Sequence, residues 1–310
     1  MTTSRHEVAR ARQVLGQRLA ELGQSARDAL LTELLLPLAH VIRQCHARTG
    51  ACATVGLAGA QGTGKSTLAA LLQRWLSDEL GLRTAVLSLD DYYLPRAARR
   101  ELAARVFPLL ATRGPPGTHD VAALLTTLRT LRSLHSSDSA HSVELLRFSK
   151  ADDDRLEQTE HWVGPCDVVL LEGWCVGARP EPEAALHEPI NELERSEDPD
   201  ARFRRFVNRQ LAQDYAGLWA ELDLLVFLAA PDFAAVRAMR GQQEDTLRAA
   251  AAGSPGVMDD AQLTRFVQHF ERVTSTMLRD APGYADVVVL LDRARDVRDF
   301  RLRGLLQPGA

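Results

Sequence analysis

An α/β fold, with one parallel sheet of about five strands and helices on both faces, is predicted by three observations. Five apolar runs, Thr54–Ala58, Thr84–Leu89, Asp167–Leu171, Leu224–Leu228 and Asp286–Leu291, alternate with helical patterns. Continuous hydrophobicity of this kind marks strands buried on both faces. The first run opens into Gly59-Ala60-Gln61-Gly62-Thr63-Gly64-Lys65-Ser66-Thr67 and then an amphipathic helix, so the pattern G-x-x-x-x-G-K-[ST] stands in the strand–loop–helix setting it requires. The third run closes on a carboxylate, Glu172, followed by Gly173, the form of a Walker B strand. Together these predict a P-loop NTPase fold: a helical N-terminal extension over residues 1–48, and a nucleotide-handling domain over 49–310 with a lid at about 232–258.

Each part of the loop has a physical task. Gly59, Gly62 and Gly64 let backbone N–H groups curl round phosphate oxygens, because no Cβ blocks the approach or the positive-φ geometry. The new helix, through Thr63 to Thr67, turns its uncapped N–H groups and positive dipole end towards the same anion. Lys65 is expected to reach the β- and γ-phosphates of ATP, and the Ser66 hydroxyl to ligate Mg²⁺ with support from Glu172.

Composition removes several function classes. The hydrophobic fraction, 45%, is ample for a packed core, and the net charge of −4 gives no support for a nucleic-acid or membrane-surface partner. No run of eighteen apolar residues exists to span a membrane. The first residues lack the apolar core of a secretory signal. Arg5, Arg10, Arg12 and Arg18 would suit a transit peptide, but Glu7 and Glu21 argue against one. Cys45, Cys52, Cys166 and Cys175 have no C-x-x-C spacing and read as reduced thiols of a cytoplasmic protein. Of 37 Lys and Arg residues only Lys65 and Lys150 are lysines. A chain so biased to arginine keeps lysine where a planar fork will not serve, so Lys150 joins Lys65 as a candidate, against the alternative of a surface residue.

In chain order, Val8, Ala11, Leu15, Leu19 and Leu22 recur at helical spacing, as do Leu34, Leu35, Leu38 and Val41, with a break at Gly23–Ser25 and a kink expected at Pro37. This extension is expected to pack on the nucleotide domain. After the loop, Leu68, Leu71, Leu72, Trp75 and Leu76 share a helical face that ends near Gly81. The second strand runs to Asp90-Asp91-Tyr92-Tyr93. Carboxylates there lie on the ligand side of an open parallel sheet, facing the γ-phosphate and its metal; a helix-capping turn is the alternative. Helices over 96–134 are interrupted by Arg113-Gly114-Pro115-Pro116-Gly117-Thr118-His119-Asp120, either a binding loop or a connector with Asp120 as N-cap. Ser133–Ser142 reads as a polar surface loop, Val143–Phe148 as a short strand, and 180–200 as an acidic, Pro-rich excursion. Phe203–Leu222 reads as one helix containing Asn208, Tyr215 and Trp219. After the fourth strand, Arg237, Arg240 and Arg248 lie on a helix that can close over phosphates; residues 249–260 read as flexible, Gln262–Leu278 as a helix, and the tail beyond Asp292 as charged and loosely specified.

The chain carries neither the N-K-x-D base-reading motif of GTPases nor the L-S-G-G-Q signature of transport ATPases. A small-molecule kinase remains, in which a carboxylate accepts the proton of the acceptor hydroxyl. Two alternatives stay open: a kinase of another small alcohol, such as pantothenate or a nucleoside, and a regulatory nucleotide-binding ATPase that moves its N-terminal helices.

The segments Gly59–Thr67, Ser88-Leu89-Asp90-Asp91-Tyr92-Tyr93-Leu94, Arg113–Asp120, Leu171-Glu172-Gly173-Trp174, and Val207-Asn208 through Tyr215 to Trp219 resemble D-glycerate 3-kinase. That is the plant and fungal glycerate kinase group with bacterial kinase-like relatives, within the wider set of uridine, phosphoribulo- and pantothenate kinases. The resemblance runs from about Leu57 to about Leu291. It implies ATP- and Mg²⁺-dependent phosphorylation of a small hydroxy acid, D-glycerate to 3-phosphoglycerate. By motif it implies Asp90 as general base and Glu172 as the Walker B acid. It further implies Arg113, His119, Asp120, Lys150 and Asn208 around the acceptor. Two departures bear on the acceptor and lid: Ser149 stands where an F-D-K element would have aspartate, and Met239 where relatives often have tryptophan.

Overall fold

The computed structural model describes residues 4–21, 29–134, 140–250 and 258–303. Leu22, the expected break at Gly23–Ser25, residues 135–139 of the polar loop, 251–257 of the expected lid and the last residues of the tail lie outside the described residues, as do the side chains of Arg18, Leu19 and Arg248. In chain order the elements are α1 (Arg5–Glu21), a π-helical turn (Leu30–Leu35), α2 (Leu36–Thr49), β1 (Ala53–Gly59), α3 (Lys65–Asp78), β2 (Thr84–Ser88), a 3₁₀ turn (Leu89–Tyr92), α4 (Arg96–Arg105) and α5 (Val121–Ser133). Then follow β3 (Ser142–Leu145), β4 (Phe148–Ser149), β5 (Asp154–Arg155), β6 (Glu160–Val163), β7 (Val168–Gly173), α6 (Glu192–Glu197), α7 (Arg202–Ala212), α8 (Asp214–Trp219), β8 (Leu224–Ala229), α9 (Phe233–Ala250), α10 (Asp260–Asp280), β9 (Val287–Leu291) and β10 (Val297–Leu302).

The five strands expected from sequence are the parallel body of a six-stranded sheet, ordered β10-β9-β8-β1-β7-β2. β1 lies at its centre and every residue in it is buried. Alternate residues of these strands feed two cores. Val55, Leu57, Leu170, Val226 and Val289 pack with Leu71 and Leu72 of α3 and with Leu15, Leu38 and Ile42 of the N-terminal helices. On the other face Ala58, Val169, Leu171, Phe227 and Val288 meet α5, α7, α8 and α10 through Leu128, Leu211, Tyr215 and Phe270. That two-sided burial is why the strands read as unbroken apolar runs. The N-terminal helices thus share one core with the phosphate-loop helix.

Three local readings differ from expectation. The tail is not loosely specified: β10 pairs antiparallel with β9. A register shift between Val297 and Asp299 breaks the alternation of Val297, Phe300 and Leu302, and a bulge of this kind hides a strand from a period-two search. Phe203–Leu222 is two helices, because Gln213 leaves helical geometry at φ −110° and ψ −91°. The excursion over 180–200 contains α6, capped by the Asn191 side chain, and is held by the buried pairs Arg204–Asp198 at 3.0 Å and Arg272–Glu194 at 2.6 Å. Pro37 lies directly after the π-helical turn, in a helix that runs on through Leu35 and Leu36 in αR geometry; the wider turn beside it accommodates the missing N–H and the ring.

Candidate active site

The C-terminal ends of β1, β2 and β7 open onto a cleft of ≈ 560 Å³ whose lining includes Lys65, Ser66, Asp90, Arg113, Lys150 and Glu172. At its phosphate end, Gly62 and Gly64 hold φ of +82° and +89°, values that a side chain disfavours. A Cβ on Gly62 would lie 2.7 Å from Cβ of Met239, so α9 packs directly on the loop. Lys65 opens α3 and is 8% exposed. Burial pulls its ammonium pKa down, against the opposing charges of Glu172 and Asp90, and its Nζ donates to the Ala60 carbonyl at 3.0 Å. Thr63 Oγ1 donates to the same carbonyl at 2.8 Å. Gly59 ends β1, and Thr67 lies in the first turn of α3.

Glu172 sits in β7 opposite Leu57 of β1 and Ser88 of β2. Its Oε1 accepts from Ser66 Oγ at 3.0 Å and Ser88 Oγ at 2.8 Å. A hydroxyl and a carboxylate, both hard oxygen donors beside a phosphate loop, fit a small divalent cation that keeps much of its water shell.

Asp90 belongs to the 3₁₀ turn after β2, and both its oxygens are engaged. Tyr93 donates its hydroxyl to Oδ1 at 2.9 Å, and Lys150 Nζ donates to Oδ2 at 2.6 Å. Burial pushes the carboxyl pKa up; the Lys150 charge and hydrogen bond, with help from Tyr93 and His119, outweigh it and hold the value at about 2. Lys150 lies in the turn between β4 and β5. That hairpin is fastened by Asp153, whose carboxylate pairs with the fully buried Arg99 at 2.9 Å and with Arg113 at 2.5 Å. Ser149 Oγ donates to Asp152 within the same turn.

The cleft gathers Gly62, Lys65, Ser66, Asp90, Arg113, Lys150, Glu172 and Arg240. Arg240 also pairs with the buried Glu244 at 2.8 Å. Apart from the loop residues Gly59, Thr63, Gly64 and Thr67 placed above, four expected residues sit elsewhere. His119 is buried behind Tyr93, its ring stacked on the Tyr93 ring at 4.6 Å and its Nδ1 2.5 Å from the Tyr215 hydroxyl. Burial lowers its pKa to about 4. Asp120 is the N-cap of α5, accepting from the Ala123 N–H, and pairs with Arg155 at 3.2 Å. Asn208 exchanges two hydrogen bonds with the Glu181 backbone, at 2.7 and 3.0 Å. Arg237, one turn before Arg240 on α9, directs its charge at Glu271. Sequence reasoning also passed over Tyr93 and Asp153. The first directly follows the short 3₁₀ turn that holds Asp90; the second is the middle aspartate of the run that follows Lys150.

No protein-family model matches the chain. It is 34% identical over 224 residues to a Schizosaccharomyces pombe protein described as the uncharacterized kinase mug58, covering 70% of this chain and 77% of that one. It is 26% identical over 247 residues to the chloroplastic D-glycerate 3-kinase of Arabidopsis thaliana, covering 75% of this chain and spanning 50% of that protein's length. Among solved structures, D-glycerate 3-kinase from Cryptococcus neoformans superposes with a TM-score of 0.73 at 27% identity, over 87% of this chain and 99% of that one. With a phosphate loop between β1 and α3 and this likeness over most of its length, the chain is an ATP-dependent kinase and belongs to the P-loop kinase family that includes D-glycerate 3-kinase.

Proposed function

We propose that the protein phosphorylates the 3-hydroxyl of D-glycerate in the cytoplasm, using ATP and Mg²⁺. The observation that carries this reading is the contact of Lys150 Nζ with Asp90 Oδ2 at 2.6 Å, in the cleft that also holds Lys65 and Arg113. A base is thereby set beside one cation, Lys150, and in the same cleft as a second, Arg113, both suited to a carboxylate. The names of the Arabidopsis and Cryptococcus relatives support the choice of acceptor.

Lys65 and the N–H groups of Gly62 to Thr67 bind the polyphosphate and hold its terminal phosphoryl group towards Asp90. Ser66 and Glu172 hold the cation. Mg²⁺, when bound, offsets the negative charge of the phosphates. Lys150 and Arg113 bind the acceptor carboxylate, and Lys150 thereby leaves Asp90 Oδ2 free. Loss of that cation raises the affinity of Asp90 for a proton, while Tyr93 keeps the carboxylate aimed. Asp90 then accepts the proton of the acceptor hydroxyl as its oxygen bonds to the γ-phosphorus and the bond to the β–γ bridging oxygen breaks, releasing ADP. Arg240 lines the cleft where charge accumulates in the transferring group.

A coupled assay of kcat/KM across D-glycerate, L-glycerate, pantothenate and uridine tests the reading. The expected result is a clear preference for D-glycerate. A higher kcat/KM for pantothenate or uridine would reassign the acceptor. ATP turnover indifferent to every alcohol would instead favour a regulatory ATPase.

A further inference from the structure

The phosphate loop is gripped from outside by a residue of the C-terminal hairpin. Arg295, half-buried in the turn between β9 and β10, donates from Nε to the Gly62 carbonyl at 2.7 Å and from Nη2 to Gln242 Oε1 of α9, also at 2.7 Å. A planar guanidinium can bridge two acceptors on separate elements in one fixed geometry, which a single ammonium cannot. The turn that presents it is tightly specified. Asp292 Oδ1 accepts the N–H groups of Ala294 and Asp296, its Oδ2 accepts from Arg298, and its backbone bonds to both Arg295 and Asp296. Arg295 itself is held at φ +68°, a strained conformation for a side-chain-bearing residue that persists where its surroundings over-determine it.

The direction of the grip matters. A trans peptide is planar, so the C=O of Gly62 and the N–H of Thr63 point opposite ways. With the carbonyl held outward by Arg295, the Thr63 N–H is turned to the inside of the loop, where it reaches the Ala60 carbonyl at only 3.4 Å. That carbonyl already receives the closer donors Lys65 Nζ and Thr63 Oγ1, so the N–H is weakly held and ready for an anion. On the other flank Met239 of α9 presses against Gly62, and Gln242, one turn later, takes the second donor of Arg295.

We propose that Arg295 is a positioning residue for nucleotide binding: it locks the Gly62–Thr63 peptide and α9 into the one arrangement that receives the polyphosphate. β10, the sheet's antiparallel edge, is then the element that delivers this lock. The inference rests on the ATP-dependent kinase reading and is independent of which alcohol is phosphorylated.

The test titrates a non-hydrolysable ATP analogue into the full-length protein and its Arg295→Met and Arg295→Lys variants, alongside KM for ATP and for the acceptor. Arg295→Met is expected to weaken analogue binding about tenfold or more, the loss of about one charge-assisted hydrogen bond. It should raise the KM for ATP in step and leave the acceptor KM within twofold. Arg295→Lys, which retains one donor for Gly62, should recover part of the loss. Analogue affinity within twofold of wild type in Arg295→Met would overturn the proposal, as would parallel losses for ATP and acceptor. Should Arg295→Met not fold, Arg295→Gln is judged by the same thresholds. Wild-type protein that fails to bind the analogue would count against the kinase reading itself.

Discussion

Lys65 and Lys150, the chain's two lysines, line one cleft in unlike surroundings. Lys65 is 8% exposed, starts a helix that shares a core with the central strands, and bonds to a carbonyl five residues away. The Lys150 side chain is 63% exposed and reaches a carboxylate 60 residues away from the tip of a short hairpin. The phosphate end is a local construction set by backbone conformation and by three adjacent parallel strands. The acceptor end is assembled from a 3₁₀ turn, a hairpin and an arginine-anchored loop, joined by ion pairs among side chains. In the proposed function the rigid end serves a ligand part common to nucleotide kinases, and the more exposed, charge-built end serves the part that differs between them.

The largest expected effect lies where the ends meet. Asp90→Asn keeps the shape of the side chain and removes the proton acceptor, and is expected to lower kcat by about 10²–10⁴-fold with analogue binding intact. A kcat within a few-fold of wild type would remove Asp90 from the base role. Lys65→Arg, which puts a fork where a buried point charge fits, is likewise expected to cripple phosphoryl transfer.

Next comes Lys150→Arg, expected to raise the acceptor KM about tenfold and leave the KM for ATP within twofold. Unchanged acceptor kinetics would return Lys150 to the solvated surface and make the two ends alike.

Stability against pH sharpens the contrast from the protein interior. Burial lowers the pKa of both His119 and His269 from the ordinary 6.5 to about 4. A histidine with a folded pKa below its unfolded value binds its proton more readily when unfolded, so stability rises with pH across that interval and is lost as pH falls from about 6.5 towards about 4. The thermal midpoint should therefore drop between pH 7 and pH 5, and drop less in His269→Leu than in wild type. Equal slopes would mean His269 is not buried neutral.

The smallest effect is assigned to Asn208→Ala. Its side chain bonds only to the Glu181 backbone among the contacts described, so a loss of about 1 kcal/mol of stability is expected, with kcat and both KM values within twofold. A selective rise in acceptor KM would put Asn208 back in the acceptor site.

What could be read from sequence follows the same division. The five parallel strands, the phosphate loop and Glu172 were legible because each depends on a contiguous pattern whose physical cause is local. The place of Asp90 in the cleft was legible from where its strand ends, and that of Lys150 from lysine usage. His119, Asp120 and Asn208 were drawn to the acceptor by motif, whereas their contacts in the fold are a buried tyrosine, a helix cap and a backbone clasp. The cap made by Asp120 is the alternative that its place before a helical run already offers; nothing in a linear pattern picks out the partners of His119 and Asn208. β10 and Arg295 escaped because a bulge breaks the strand's period and because an arginine that grips a carbonyl 233 residues away looks like any other in a chain so rich in them.

In the proposed mechanism Lys150 selects the acceptor by its carboxylate and couples that choice to Asp90. Its most direct test is the ratio of kcat/KM for D-glycerate to that for glycerol, which keeps the hydroxyls and lacks the carboxylate, in wild type and in Lys150→Met. A strong preference for D-glycerate is expected in wild type, falling by at least about tenfold in the variant, the worth of one charge-assisted contact. The same ratio in both proteins would contradict it.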